Sequence, residues 1–232
     1  MKKMISVCMT AVLAVSILAG GAVQATALSG VTVQTTAAAA DENCLSGSWK
    51  RASSPELSAQ VRALYEQAFE DILGAEYTPV ALLSTRRTAA GTQYRALCRM
   101  ALTVPDAEER YVVVTLRKNW LGQAQLLDIG QAIAPTDLAA EPLAGGWREA
   151  DSPVLTEEAT AAFAQAMDGL VGVDYVPVAL LSTQTVAGTN YRILCEATVV
   201  YPGAEMHYAV AEIYEDPDGK ASLLEVTDHY IG

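Results

Sequence analysis

Histidine, cysteine and phenylalanine are scarce, with 2 His, 4 Cys and 2 Phe in 232 residues. No Cys-x-x-C occurs, and His207 and His229 stand apart from any cysteine, so a zinc site or a Cys-His catalytic pair has almost no raw material. The acidic residues are spread over strands and turns, and nothing pairs a nucleophile with a base. A non-enzymatic protein without metal or cofactor is therefore expected. Positive charge is short as well. Removing Lys2 and Lys3 from the 15 basic residues leaves 13 against 27 acidic ones, a net charge of −14. That disfavours nucleic acid and anionic membrane surfaces as partners, because both need clustered Lys and Arg.

Charge is missing altogether between Met4 and Ala40. Met1-Lys2-Lys3, an apolar centre from Ile5 to Leu18, a helix-breaking Gly20-Gly21 and small residues at Ala25 and Ala27 follow the plan of a secretory signal cleaved after Ala27. An uncleaved anchor is the competing reading, and it must tolerate Ser6, Thr10 and Ser16 in the span. The expected product is secreted, with no stable membrane anchor after cleavage, and the short lysine-led start points to a bacterial source. Cys8 goes with the signal. The remaining Cys44, Cys98 and Cys195 are odd in number, which excludes a fully paired intrachain framework.

What the chain does have is a tandem repeat. Gly47-Ser48-Trp49 returns as Gly145-Gly146-Trp147, and Ser54-Pro55 as Ser152-Pro153. The run from Tyr77 to Thr85 returns from Tyr175 to Thr183, all at an offset of 98. Beyond the following hairpin the offset is 97, matching Gly91 with Gly188, Tyr94 with Tyr191 and Cys98 with Cys195. The boundaries that follow are a signal at 1–27, a flexible Thr/Ala spacer at 28–42, domain 1 at 43–133, a linker at 134–140 and domain 2 at 141–232. Cys44 has Pro142 as its counterpart and reads as an exposed free thiol, with dimerisation through it an open but unsupported alternative.

Each repeat predicts the same order of elements. A short Trp-bearing strand comes first. Ser54 or Ser152 then N-caps a helix whose first position is Pro55 or Pro153. Leu57, Val61, Leu64, Tyr65, Phe69, Ile72 and Leu73 fall at helical spacing, as do Ala159, Phe163, Met167, Leu170 and Val171, and Gly74 and Gly172 end the helices. Four strands follow, read in the second repeat as 175–183, 190–201, 206–214 and 221–230. Tyr191, Ile193, Cys195, Ala197 and Val199 share one face, opposite Arg192, Glu196 and Thr198, the pattern of a half-buried antiparallel strand. Cys98 and Cys195 become equivalent core thiols. The expected class is α+β, one helix on a meandering sheet in each repeat.

The Gly-Gly-Trp segment, the Ser-Pro helix start and the run Gln184-Thr185-Val186-Ala187-Gly188-Thr189-Asn190-Tyr191 resemble the cystatins, protein inhibitors of papain-like cysteine proteases. The resemblance covers both repeats. It implies two tandem domains, each an antiparallel sheet wrapped around one long helix. It also implies an inhibitory wedge of three parts that fills the protease cleft sterically. In the second repeat these are Gly145 and Gly146, the hairpin Gln184, Thr185, Val186, Ala187 and Gly188, and a second hairpin around Pro217 that lacks the family's Trp. In the first repeat they are Gly47, the hairpin Arg87-Thr88-Ala89-Ala90-Gly91, which keeps only Gly91, and a second hairpin that retains Trp120. Domain 2 is accordingly expected to be the stronger inhibitor, because Arg87 brings charge to the contact and Ala89 removes apolar area. A secreted or surface binding module that keeps the fold without inhibition is the alternative.

Overall fold

The computed structural model describes residues 47–138 and 145–228. The signal and its cleavage site, the spacer, Cys44 and His229 lie outside the described residues. Repeat 1 forms β1 (Lys50–Arg51), α1 (Ala59–Phe69), β2 (Ala75–Thr88), β3 (Gly91–Leu102), β4 (Arg110–Lys118) and β5 (Ala124–Pro135). Repeat 2 forms β6 (Arg148–Glu149), α2 (Glu157–Met167), β7 (Val173–Val186), β8 (Gly188–Val199), β9 (His207–Glu215) and β10 (Ala221–Asp228). Each sheet is a five-stranded antiparallel meander, in the order β1-β2-β3-β4-β5 or β10-β9-β8-β7-β6. No helix among the described residues is long and apolar enough to cross a membrane.

The expected sheet wrapped around a long helix is not what forms. Each helix has only 11 residues, while the strands beside it reach 14. Such a helix is about 16 Å long, the span of about five strand residues, and covers part of one face. Its start was misplaced too. Ser58 Oγ accepts from Val61 N and Thr156 Oγ1 from Ala159 N, so these are the N-caps. Ser54 and Ser152 instead close small turns upstream, accepting from Glu56 N and Val154 N. The reason lies in the following prolines. Pro55 O accepts from Leu82 N and Pro153 O from Leu180 N, which holds both segments extended along the sheet. At the other end Leu73 and Val171 are almost fully exposed, so the apolar spacing outruns the helix.

The second face of each sheet accounts for the missing helix length. Leu64 and Tyr65 of α1 pack on Ala96, Cys98, Val112, Val114 and Leu116 of the sheet. Phe163 of α2 packs on Ile193, Cys195, Ala197, Ala211 and Ile213 of the sheet. A third cluster joins Ala81, Leu83, Leu97, Tyr111 and Ile133 of repeat 1 to Ala179, Leu181, Leu194 and Val210 of repeat 2. The two sheets therefore share a core, with a helix on the outer face of each. Both faces of β2 and β7 are buried near their middles, which is why Val80-Ala81-Leu82-Leu83 reads as an unbroken apolar run rather than an alternation.

Polar groups finish this contact. Arg192, assigned to a solvent face by its alternation, is 5% exposed. Its Nε donates to Glu212 Oε1 at 2.6 Å, its Nη1 to Thr136 O at 2.5 Å and its Nη2 to Asp137 Oδ2 at 2.7 Å, with the guanidinium 4.2 Å above the Trp147 ring. The stretch read as a linker from Ala134 thus starts inside β5 and continues through a buried Thr136. Arg95, the counterpart of Arg192, lies 4.1 Å from the Trp49 ring.

Candidate functional site

The three segments singled out in repeat 2 are neighbours at one end of its sheet. Strand order puts the segment leading into β6 beside β7, then the β7–β8 hairpin, then the β9–β10 hairpin. Gln184 Nε2 donates to Gly145 O at 2.7 Å, and Asn190 Nδ2 donates to Gln184 Oε1 at 2.6 Å. The Gln184 amide therefore fastens the leading segment to the first hairpin. On the other side Tyr214 Oη donates to Ala187 O at 2.6 Å, tying the first hairpin to the strand that carries the second. Thr185, Val186 and Ala187 stay exposed at the tip.

Gly188 makes the close approach of the two hairpins feasible. Its φ is +125°, and a Cβ there would lie 2.2 Å from Glu215 O. Gly91 repeats this, with φ +129° and a Cβ position 2.1 Å from Lys118 O. Both glycines answer a demand of the sheet rather than of a ligand. Tyr191 braces the same region, donating to Glu215 Oε2 at 2.8 Å. Burial first, then the Glu215 carboxylate, pushes its phenol up to about 12.

Register also corrects the pairing of the two first hairpins. Gln184 faces Asn190, and Val186 faces Gly188. In repeat 1 Arg86 faces Gln93, and Thr88 faces Gly91. Arg86, not Arg87, is thus the counterpart of Gln184, and Thr88, not Ala89, that of Val186; the added residue sits at the turn, where Ala89-Ala90 replaces Ala187. Arg86 keeps a cross-strand bond at this pair with donor and acceptor exchanged, its Nε donating to Gln93 Oε1 at 3.0 Å. The leading segment is held by backbone instead, Gly47 N donating to Arg87 O at 2.9 Å.

The second hairpins share one frame and differ at their tips. Asn119 Oδ1 accepts from Leu121 N and Gln123 N, as Asp216 Oδ1 accepts from Asp218 N and Lys220 N. Gly122 and Gly219 follow at φ +84° and +80°. On this frame Trp120 and Leu121 occupy the positions of Pro217 and Asp218. Trp120 is 78% exposed, and its Nε1 donates to Ala89 O at 2.9 Å, bridging the hairpin tips of repeat 1. That bridge was not legible in the sequence, since Ala89 offers only a carbonyl.

The cysteines and histidine stand away from these tips. Burial pushes the Cys195 thiol up to about 12 and raises the Cys98 thiol further. His207 Nε2 lies 3.2 Å from Asp228 Oδ2. Among the described residues no group of three His, Cys, Asp or Glu is placed to hold a metal ion. A cleft of about 460 Å³ between the repeats is lined by Arg62, Pro79, Arg99, Glu149 and Asp151, and by none of the tip residues. No family model matches the chain, and no curated protein matches it.

Proposed function

We propose that this is a secreted, cystatin-like inhibitor of papain-like cysteine proteases that acts mainly through the hairpin edge of repeat 2. One observation carries the reading: Gln184 holds the Gly145 segment and the exposed Thr185-Val186-Ala187 tip in a single edge, through bonds at both ends of its amide. A tip held by its sheet loses little freedom on binding, so its apolar atoms can fill a preformed cleft. No chemistry is asked of the inhibitor; the loop blocks the cleft by occupying it. Repeat 1 offers Trp120 and Leu121 as anchors but places Arg87, an exposed charge, at the first tip, which a desolvated contact disfavours.

A second reading is a binding module of the same build without inhibition. The acidic pair Asp216 and Asp218, standing where repeat 1 has Asn119 and Leu121, favours it. The test is competitive inhibition of papain by the full chain, followed by mass spectrometry of the hairpin. Inhibition in the low micromolar range or tighter with an intact 184–188 segment supports the inhibitor. Absence of inhibition leaves the binding module, and cleavage within the hairpin would make the chain a substrate.

A further inference from the structure

The shared core poses a question of self-recognition. Val80, Ala81, Leu83, Leu97, Tyr111 and Val113 of repeat 1 face Val178, Ala179, Leu181, Leu194, Tyr208 and Val210 of repeat 2. At the repeat offsets these two sets are identical residue for residue. At these matched positions apolar packing would accept two copies of repeat 1, or two of repeat 2, as readily as one of each. Ile133 and Ala134 of repeat 1 join the cluster with no counterpart among the described residues of repeat 2. Beside the contact of Arg192 with Asp137, four further charged residues break the degeneracy. Arg51 of β1 donates its Nε to Glu196 Oε1 of β8 at 3.3 Å and its Nη2 to Oε2. Reciprocally, Glu149 of β6 lies 3.5 Å from Arg99 of β3. Register makes Arg51 and Glu149 counterparts, paired with Ser84 and Ser182. Arg99 and Glu196 are counterparts too, paired with Tyr111 and Tyr208. The two contacts are thus the same contact with the charges exchanged.

We infer that the inner face of each repeat is built to accept the other repeat and to reject its own kind. Pairing two copies of repeat 1 would set Arg51 against Arg99 twice, and pairing two copies of repeat 2 would set Glu149 against Glu196 twice. Glu109, 3.8 Å from Arg99 within repeat 1, has Met206 as its counterpart. It therefore eases the repulsion of Arg51 by Arg99 between two copies of repeat 1. Between two copies of repeat 2 it is absent, and the repulsion of Glu149 by Glu196 stands in full. The partner each face selects is thus the complementary repeat, and the arrangement disfavours, on each face, an exchanged dimer of two chains in which like repeats pair.

The test uses the full chain, refolded at high protein concentration, with the ratio of two-chain to one-chain species read by native mass spectrometry. The double variant Arg51→Glu with Glu149→Arg turns both intrachain contacts repulsive and makes all like-repeat contacts attractive. Its dimer-to-monomer ratio should rise by about tenfold or more over the parent at low salt, and far less at high salt. Adding Arg99→Glu and Glu196→Arg restores opposite charges within the chain and should return the ratio to the parental value. If the double variant does not fold, Arg51→Glu or Glu149→Arg alone should shift the ratio in the same direction. An unchanged ratio in the folded double variant, or in both single variants, overturns the inference, as does a quadruple variant that dimerises like the double.

Discussion

At the scale of residues, the glycines separate geometric necessity from function. An alanine at Gly188 would meet Glu215 O at 2.2 Å in a backbone conformation that side chains avoid, so Gly188→Ala should cost about 2–4 kcal/mol of stability. Gly219 has a positive φ but open space around its Cβ position, and Gly219→Ala should cost only about 1 kcal/mol. Denaturant midpoints of the two variants check the difference. The internal control from the duplication agrees, since repeat 1 keeps Gly91 while Arg86 and Thr88 replace Gln184 and Val186. Cys195 provides a second check at this scale. With its thiol pushed up to about 12 by burial, only ~10⁻⁴ of it is thiolate near pH 8. Iodoacetamide at that pH should leave Cys98 and Cys195 unmodified in the native protein and alkylate both in denaturant, as peptide mass mapping will read.

At the scale of elements, the second hairpins are interchangeable frames with different tips. Because Asn119 and Asp216 organise the same loop, Pro217→Trp should place an aromatic anchor on the edge of repeat 2 without disturbing the turn, and strengthen protease inhibition about tenfold. An inhibition constant that does not move would show that this hairpin stays outside the contact. Much at this level was legible beforehand. Alternation in 191–199 and the glycines at the turns located the strands and hairpins, and the repeat offsets located their counterparts. The helices were overextended because Leu73 and Val171 keep the helical spacing after the helix has ended. The offset of the first hairpin was misjudged by one position, because an insertion at a turn changes cross-strand pairing rather than any residue's character. The second sheet face showed only as the unbroken apolar runs around Ala81 and Ala179, which do not say what covers them, and Arg192 and Glu196 look solvent-facing until their partners are known.

At the scale of the whole molecule, the shared core makes the two repeats one folding unit. Heat should unfold the chain in a single calorimetric transition with equal calorimetric and van't Hoff enthalpies, and two separate transitions would argue against that coupling. The same contact orients the edges. Arg51 sits near the hairpin end of repeat 1 but meets Glu196 near the far end of repeat 2, and Glu149 and Arg99 repeat the arrangement in reverse. The two hairpin edges thus lie at opposite ends of the paired sheets, and substitutions at one leave the other untouched. This permits the most direct measurement, inhibition of papain by the full chain carrying Val186→Glu or Trp120→Glu. Competitive inhibition by the parent, an inhibition constant at least roughly hundredfold weaker for Val186→Glu and little change for Trp120→Glu are expected, with circular dichroism preserved throughout. Equal inhibition by the parent and Val186→Glu, or none by the parent at micromolar concentration, would contradict the inhibitor reading.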